Sequence, residues 1–296
     1  MQDGKSHAPL SGEFGMTDRN MAASVRARLF NKARADGMDF QRLLTRYSLE
    51  RLLYRLSISS ERDHFLLKGA LLFDLWYDVP LRPTRDIDLL GFGLAEVPHL
   101  VATFEQICMI GVDDGMCFDA NTIEAEEIRK EANYTGIRIK LTGRLAGARC
   151  PVQIDVGYGD AVTPAPESAN YPVILDDMPA PHLRVYPRYT VVAEKLEAII
   201  SLGMANSRMK DYFDLWVILQ DSDLDQAMLK QALLATLGRR KTLIPKRLPI
   251  GLSETFATDP QKNAQWGAFL KRNELNSASL TEVVQYLRCY SSFIFE

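Results

Sequence analysis

Apolar residues recur along this chain with two periods, and the switches between them lay out its elements. Over residues 20–35, Met21, Val25, Leu29 and Ala33 fall on one side of a helix. A second helix is expected over 39–58, with Leu43, Leu44, Tyr47, Leu52, Leu53 and Leu56 turned inward and Asp39 as its N-cap. Phe65-Leu66-Leu67 reads as a short buried strand, Lys68-Gly69-Ala70 as a tight turn, and 70–76 as an apolar helix. A strand then runs through Asp86-Ile87-Asp88-Leu89-Leu90, and a helix over 96–110 is broken by the glycines and aspartates of 111–115. Period two returns over 122–128, 136–141 and 151–158. There Ile137, Ile139 and Leu141 alternate with Arg138 and Lys140, as in a strand with one wet face. Prolines recur from Pro164 to Pro187, which predicts an extended crossing segment and the best domain boundary. Beyond it the pattern is helical over 190–202, 207–220, 224–237, 259–273 and 280–290. The expected fold is α+β, a mixed sheet flanked by helices followed by a helical C-terminal domain. Its divisions are a flexible tail over 1–16, a sheet-bearing domain with N-terminal helices over 17–165, a Pro-rich connection over 166–188, and a helical domain over 189–296.

Composition narrows the class of protein without choosing a function. With 296 residues, 47% of them hydrophobic and 25% charged, the chain has the make-up of a soluble globular protein able to bury a large core. A formal net charge of −3 supplies no global pull toward nucleic acid, so any basic binding face has to be local. Two such places exist. The first two helices carry Arg19, Arg26, Arg28, Lys32, Arg34, Arg42, Arg46, Arg51 and Arg55, and a later loop carries Arg239-Arg240-Lys241 and Lys246-Arg247. They read either as solvated faces or as a surface for a polynucleotide acceptor. Cys108, Cys117, Cys150 and Cys289 have no C-x-x-C spacing and the four histidines are scattered, which speaks against zinc and for reduced thiols. No apolar run approaches the length of a membrane span and the start lacks a signal-peptide core, so the expectation is a cytoplasmic protein without a membrane partner.

The chemistry concentrates between residues 65 and 92. On a strand, Asp86 and Asp88 project to one face about 6.6 Å apart along the axis while Ile87 and Leu89 pack behind. Adjacent acids repel, so the pair favours a divalent cation, unless the two merely cap a following element. Gly69 allows close backbone approach to a ligand, and the first N–H groups of the next helix form an anion site. Asp155 alternates with Val152, Ile154 and Val156 on a later strand; by itself it would be an ordinary solvated acid.

These pieces resemble the AbiEii/AbiGii-type toxins, minimal nucleotidyltransferases of the DNA polymerase β-like superfamily. The likeness rests on Lys68-Gly69-Ala70, Arg82-Pro83-Thr84-Arg85-Asp86-Ile87-Asp88, Gln153-Ile154-Asp155-Val156, Ala193-Glu194-Lys195-Leu196 and Lys210-Asp211-Tyr212-Phe213-Asp214, in that order over roughly 60–220. Ala70 stands where relatives often carry Gly or Ser, which leaves only backbone amides there. The resemblance implies a polymerase β-like nucleotidyltransferase domain that transfers NMP from NTP with release of pyrophosphate. Asp86, Asp88 and Asp155 would be the ligands of Mg2+ or Mn2+. Lys68, Gly69, Ala70, Arg82 and Thr84 would hold phosphates, although Thr84 could equally bond its own backbone. Lys195, otherwise an ordinary helix lysine, would contact the triphosphate; Asp211, an acid the family requires, would orient it, and Asp214 would join Asp211 at the nucleotide or in fixing the helical domain. The implied setting is a toxin–antitoxin pair with an AbiEi-like antitoxin and the tRNA 3′ end as acceptor. Transfer to a protein hydroxyl and a catalytically lapsed nucleotide- or antitoxin-binding module are the alternatives.

Overall fold

The computed structural model describes residues 16–77, 83–131, 134–221 and 223–295; the tail expected over 1–16 lies, but for its last residue, outside them. Helix α1 (Met16–Ala35) turns through Gly37 into α2 (Phe40–Ile58), whose first turn is capped as expected: the Asp39 carboxylate accepts the Arg42 N–H at 2.8 Å. Strand β1 (Phe65–Lys68) and the short helix α3 (Leu72–Trp76) lead to β2 (Asp86–Gly91), α4 (Val97–Cys108), and the long strands β3 (Met116–Glu131), β4 (Tyr134–Leu145) and β5 (Ala148–Tyr158).

The proline-bearing stretch is extended, and it also builds sheet: β6 (Glu167–Asn170) pairs with β7 (His182–Val185), which joins β1 in parallel. The seven strands stand in the order β3-β4-β5-β2-β1-β7-β6. β2–β5 and β1–β7 are parallel and the other neighbours antiparallel, which makes a mixed sheet and an α+β fold.

Directly opposed residues on neighbouring strands share a face of the sheet. Ile137, Val156, Leu89, Leu67 and Val185 stand in one such row across five strands, all buried. The apolar alternation of each strand makes this face the core, against which α2 and α4 pack. Among the described residues six α-helices follow: α5 (Arg188–Leu202), α6 (Met209–Asp221), α7 (Gln226–Arg240), α8 (Glu254–Thr258), α9 (Pro260–Asn273) and α10 (Leu280–Phe295). α5 packs on α6 and α7, and α10 on α6, α8 and α9. Among the described residues no helix is long and apolar enough to cross a membrane.

Two of the basic residues expected at the surface of the first two helices are buried in the fold, and others pair with acids at the surface. Arg55 is buried and donates to the carbonyls of Arg51, Ile110 and Met116 and to both oxygens of Asp114, at 2.7 and 3.1 Å. Arg51, also buried, pairs with Glu50 and bonds the Pro179 carbonyl between the rings of Tyr47 and Tyr54. Arg28, Lys32, Arg42 and Arg46 meet Asp177, Asp36, Glu274 and Asp74. The later cluster divides similarly: Arg240 turns inward to Glu197, and Arg239 donates to the Gly159 carbonyl. Apart from Glu50 for Arg51 and Asp36 for Lys32, these partners sit far off in sequence, so local spacing left most of the arginines looking free.

Candidate active site

The polar face of the sheet carries the acids. Arg138 stands opposite Asp155, Asp155 opposite Asp88, and Asp88 opposite Lys68, so one row across β4, β5, β2 and β1 holds two carboxylates between two cations. The next row on that face holds Lys140, Gln153 and Asp86. The structure therefore brings Asp86, Asp88 and Asp155 together from two parallel neighbouring strands. Asp155 is not open to solvent: it is 5% exposed, and its two oxygens accept Nε and Nη2 of Arg138 at 2.8 and 2.9 Å. Burial, reinforced by the charges of Asp88 and Asp155, raises the pKa of Asp86, while Arg138 and Lys210 act against that rise.

Gly69 closes over the pair. Its φ of +73° is a left-handed conformation, and a Cβ there would fall on the Asp88 carboxylate. The expected helix over 70–76 is instead a 3-10 turn, Gly69–Leu71, followed by the five-residue α3. So short a helix has little macrodipole, and the close approach of the Gly69 backbone is what this bend offers. Lys68, expected as a phosphate partner, holds its Nζ on Asp160 at 2.5 Å and Glu194 at 3.5 Å, with the Tyr186 ring alongside. The Thr84 hydroxyl is directed at the Asp86 carbonyl, 3.4 Å away, the backbone option foreseen for it. Arg82 lies outside the described residues.

On the helical side, Lys195 of α5 reaches Asp211 at 3.0 Å and Asp214 at 2.7 Å, both on α6 and both buried. Spacing of three residues puts the two acids on one helix face, where they fix the ammonium; Arg208 also pairs with Asp211. Asp214 holds the Lys195 ammonium and is not in the wall of either cavity described below. Phe213 is core, and Trp216 packs edge-on against Tyr286.

Two cavities meet at the acids. The smaller, about 600 Å³, lies between the sheet and α5–α7 and includes Gly69, Asp155, Lys195, Asp211 and Arg138 in its wall. The larger, about 1310 Å³, runs past Arg85, Lys140, Arg149 and Arg272. Ala70, Asp86, Asp88 and Lys210 line both. Residues that the sequence did not assign to the site complete the inner wall: Asp160, Glu194, Glu197 and Arg240 form an ion-pair lattice with Lys68. Burial raises the pKa of Glu194, with Lys68 opposing the rise. Glu194 carried a signal as neighbour of Lys195 and Arg240 as part of the later basic cluster, while Glu197, also on α5, and Asp160, just after β5, carried none.

Comparison with known proteins gives this geometry a context. The family model described as nucleotidyl transferase AbiEii toxin, type IV toxin–antitoxin system, matches residues 51–286, well over half of the chain. The chain belongs to the AbiEii family. No curated protein matches. Among solved structures, JHP933 from Helicobacter pylori is 16% identical with a TM-score of 0.48, over 87% of this chain and 93% of that one. A second H. pylori protein, described as a nucleotidyltransferase, is 14% identical with a TM-score of 0.47, over 87% and 96% of the two chains.

An AbiEii nucleotidyltransferase implies a divalent cation, and the residues fit one in part. Asp86 and Asp88 are hard oxygen donors at the mouth shared by both cavities, and Mg2+ takes one or two carboxylates and completes its shell with water and phosphate. The third acid fits less well, since Arg138 spans both of its oxygens. Among the described residues no group of three His, Cys, Asp or Glu side chains is placed to hold a metal ion.

Proposed function

We propose that this AbiEii-family chain transfers a nucleoside monophosphate from an NTP to the 3′ end of tRNA, and that the transfer arrests translation and growth until an AbiEi-like antitoxin counters it. The observation that supports this most is the meeting of the Asp86–Asp88 pair, the Gly69 bend and an oriented Lys195 on one cavity, with a second cavity opening from the same acids. At about 600 Å³ the smaller cavity has the size of a small-molecule site and takes the NTP. Lys195 then presents a fixed point charge to the triphosphate, its rotamers already restricted by Asp211 and Asp214.

The larger cavity takes the acceptor. Arg85, Lys140, Arg149 and Arg272 in its wall suit a phosphate-bearing chain end. The acceptor hydroxyl gives its proton to water as its oxygen bonds to the α-phosphorus in line with the leaving group, and the bond to pyrophosphate breaks. Mg2+ or Mn2+, bound at Asp86 and Asp88, supplies neutralisation of the charge on the phosphates.

The test is incubation of the purified chain with each labelled NTP, Mg2+ or Mn2+, and total tRNA or total protein. Label in RNA is expected, and Asp88→Ala should abolish it with the melting curve unchanged. Label in protein alone would move the acceptor to a protein hydroxyl. Tight NTP binding without any transfer would make this a lapsed binding module.

A further inference from the structure

Across β4, β5 and β2 the register sets Arg138, Asp155 and Asp88 side by side on one face. Arg138 grips Asp155 through a two-bond fork at 2.8 and 2.9 Å, and Gln153 adds a longer contact to the same carboxylate at 3.4 Å. Such a side-on fork is the strongest carboxylate pairing a side chain offers, and the guanidinium cannot lose its charge by deprotonation. A cation that recruited Asp155 would have to share both oxygens with the guanidinium and sit against its fixed positive charge at a carboxylate only 5% exposed. Only two N–H groups of Arg138 go to Asp155, and the guanidinium still lines the smaller cavity beside Lys195.

We infer that Asp155 is a positioning residue that anchors Arg138, and that Arg138 is the phosphate-binding cation of the nucleotide cavity, standing where a second metal ion would otherwise be needed. The centre then works with one divalent cation, on Asp86 and Asp88. This rests on the nucleotidyltransferase reading and deepens it: the site takes a polyphosphate through one metal ion and one guanidinium.

The test separates cation binding from phosphate binding on the full chain, without turnover. Mn2+ is titrated calorimetrically, and inorganic tripolyphosphate is then titrated in the presence of Mn2+. Asp88→Asn should weaken Mn2+ by about ten-fold or more, whereas Asp155→Asn should leave it within about three-fold of wild type. Tripolyphosphate should weaken about ten-fold in Asp155→Asn and in Arg138→Met alike, because either change loses the anchored guanidinium. Arg138→Met also frees a carboxylate beside the pair, so Mn2+ should bind more tightly to it than to wild type. The inference is overturned if Asp155→Asn loses Mn2+ as Asp88→Asn does, or if Arg138→Met leaves both titrations unchanged. Should Asp155→Asn not fold, Arg138→Met decides alone. Equal Mn2+ binding by wild type and Asp88→Asn would instead remove the acid pair as a cation site, and with it the centre described under the proposed function.

Discussion

Gly69→Ala probes the bend and the acid pair together, and its cost can be worked from the geometry. Two effects superpose. Gly69 has a φ of +73°, and an L-residue held in that region costs about 1–2 kcal/mol. Separately, the new Cβ would stand 2.7 and 2.8 Å from Cβ and Cγ of Asp88 where ordinary contact begins at 3.4 Å, so the carboxylate has to shift by about 1 Å, enough to cost roughly 100-fold in rate at a positioned catalytic group. Gly37 separates the two effects, since its φ is +64° and nothing lies within 4 Å of a Cβ built there. Gly37→Ala should therefore lose about 1–2 kcal/mol, seen as a melting temperature lower by about 3–6 °C, with unchanged transfer. Gly69→Ala should melt at least as far below wild type and also lose transfer by about 100-fold under saturating NTP. Thermal denaturation and a labelled-NTP assay on the three chains measure both effects. Transfer by Gly69→Ala within three-fold of wild type, with the chain folded, would refute the claim that the bend sets the position of Asp88.

Three more outcomes follow from the charges. Lys195→Met leaves Asp211 and Asp214 buried without their shared ammonium and should destabilise by about 2–3 kcal/mol in urea unfolding, discounted because the lysine is partly exposed, while weakening NTP binding; unchanged NTP affinity would remove the lysine from the nucleotide site. Arg55→Met strands Asp114, which is 0% exposed, and should cost about 3–5 kcal/mol, part of it regained in the double change with Asp114→Asn. Burial raises the pKa of Glu50 from 4.5 to about 7, against the pull of Arg51. The folded chain then holds the extra proton between those values, so this group's contribution is complete below pH 4.5 and is lost as the pH rises through about 7. Unfolding free energies of wild type measured from pH 5 to 7 should fall relative to those of Glu50→Gln, and parallel curves would contradict the assignment.

Period and spacing carried β1 to β5, the long helices and the Asp39 cap, because each depends on residues within a turn or two. The acids were legible for the same reason: Asp86 and Asp88 are two apart on one strand, and Asp211 and Asp214 three apart on one helix. What spacing could not give was the partner of each charge. Arg138 looks like any residue on a strand's wet face until β4 is laid against β5, which sets it opposite Asp155. Lys68 looked ready for phosphate until Asp160 and Glu194 arrived from two other elements. Arg51 and Arg55 violate the ordinary preference of arginine for the surface, and their burial is compensated by partners across loops that local pattern does not connect. The proline-bearing stretch was legible as extended, but that β7 pairs with β1 is a long-range choice.

The register that builds the core is the same one that builds the site. Sliding β5 by one residue against β2 would turn Asp155 into the core and Ile154 or Val156 out toward the cavities, because side chains alternate strictly between faces. Burial of Ile154, Val156, Ile87 and Leu89 opposes that slip, so hydrophobic packing on one face fixes the carboxylates on the other. The acids weaken the sheet through mutual repulsion, and Arg138 and Lys68 flank them in the same row. Ile154→Ala, on the face of the sheet opposite the acids, should therefore loosen the proposed site as well as the core: about 2–5 kcal/mol of stability lost, together with weaker Mn2+ binding at the proposed Asp86–Asp88 site.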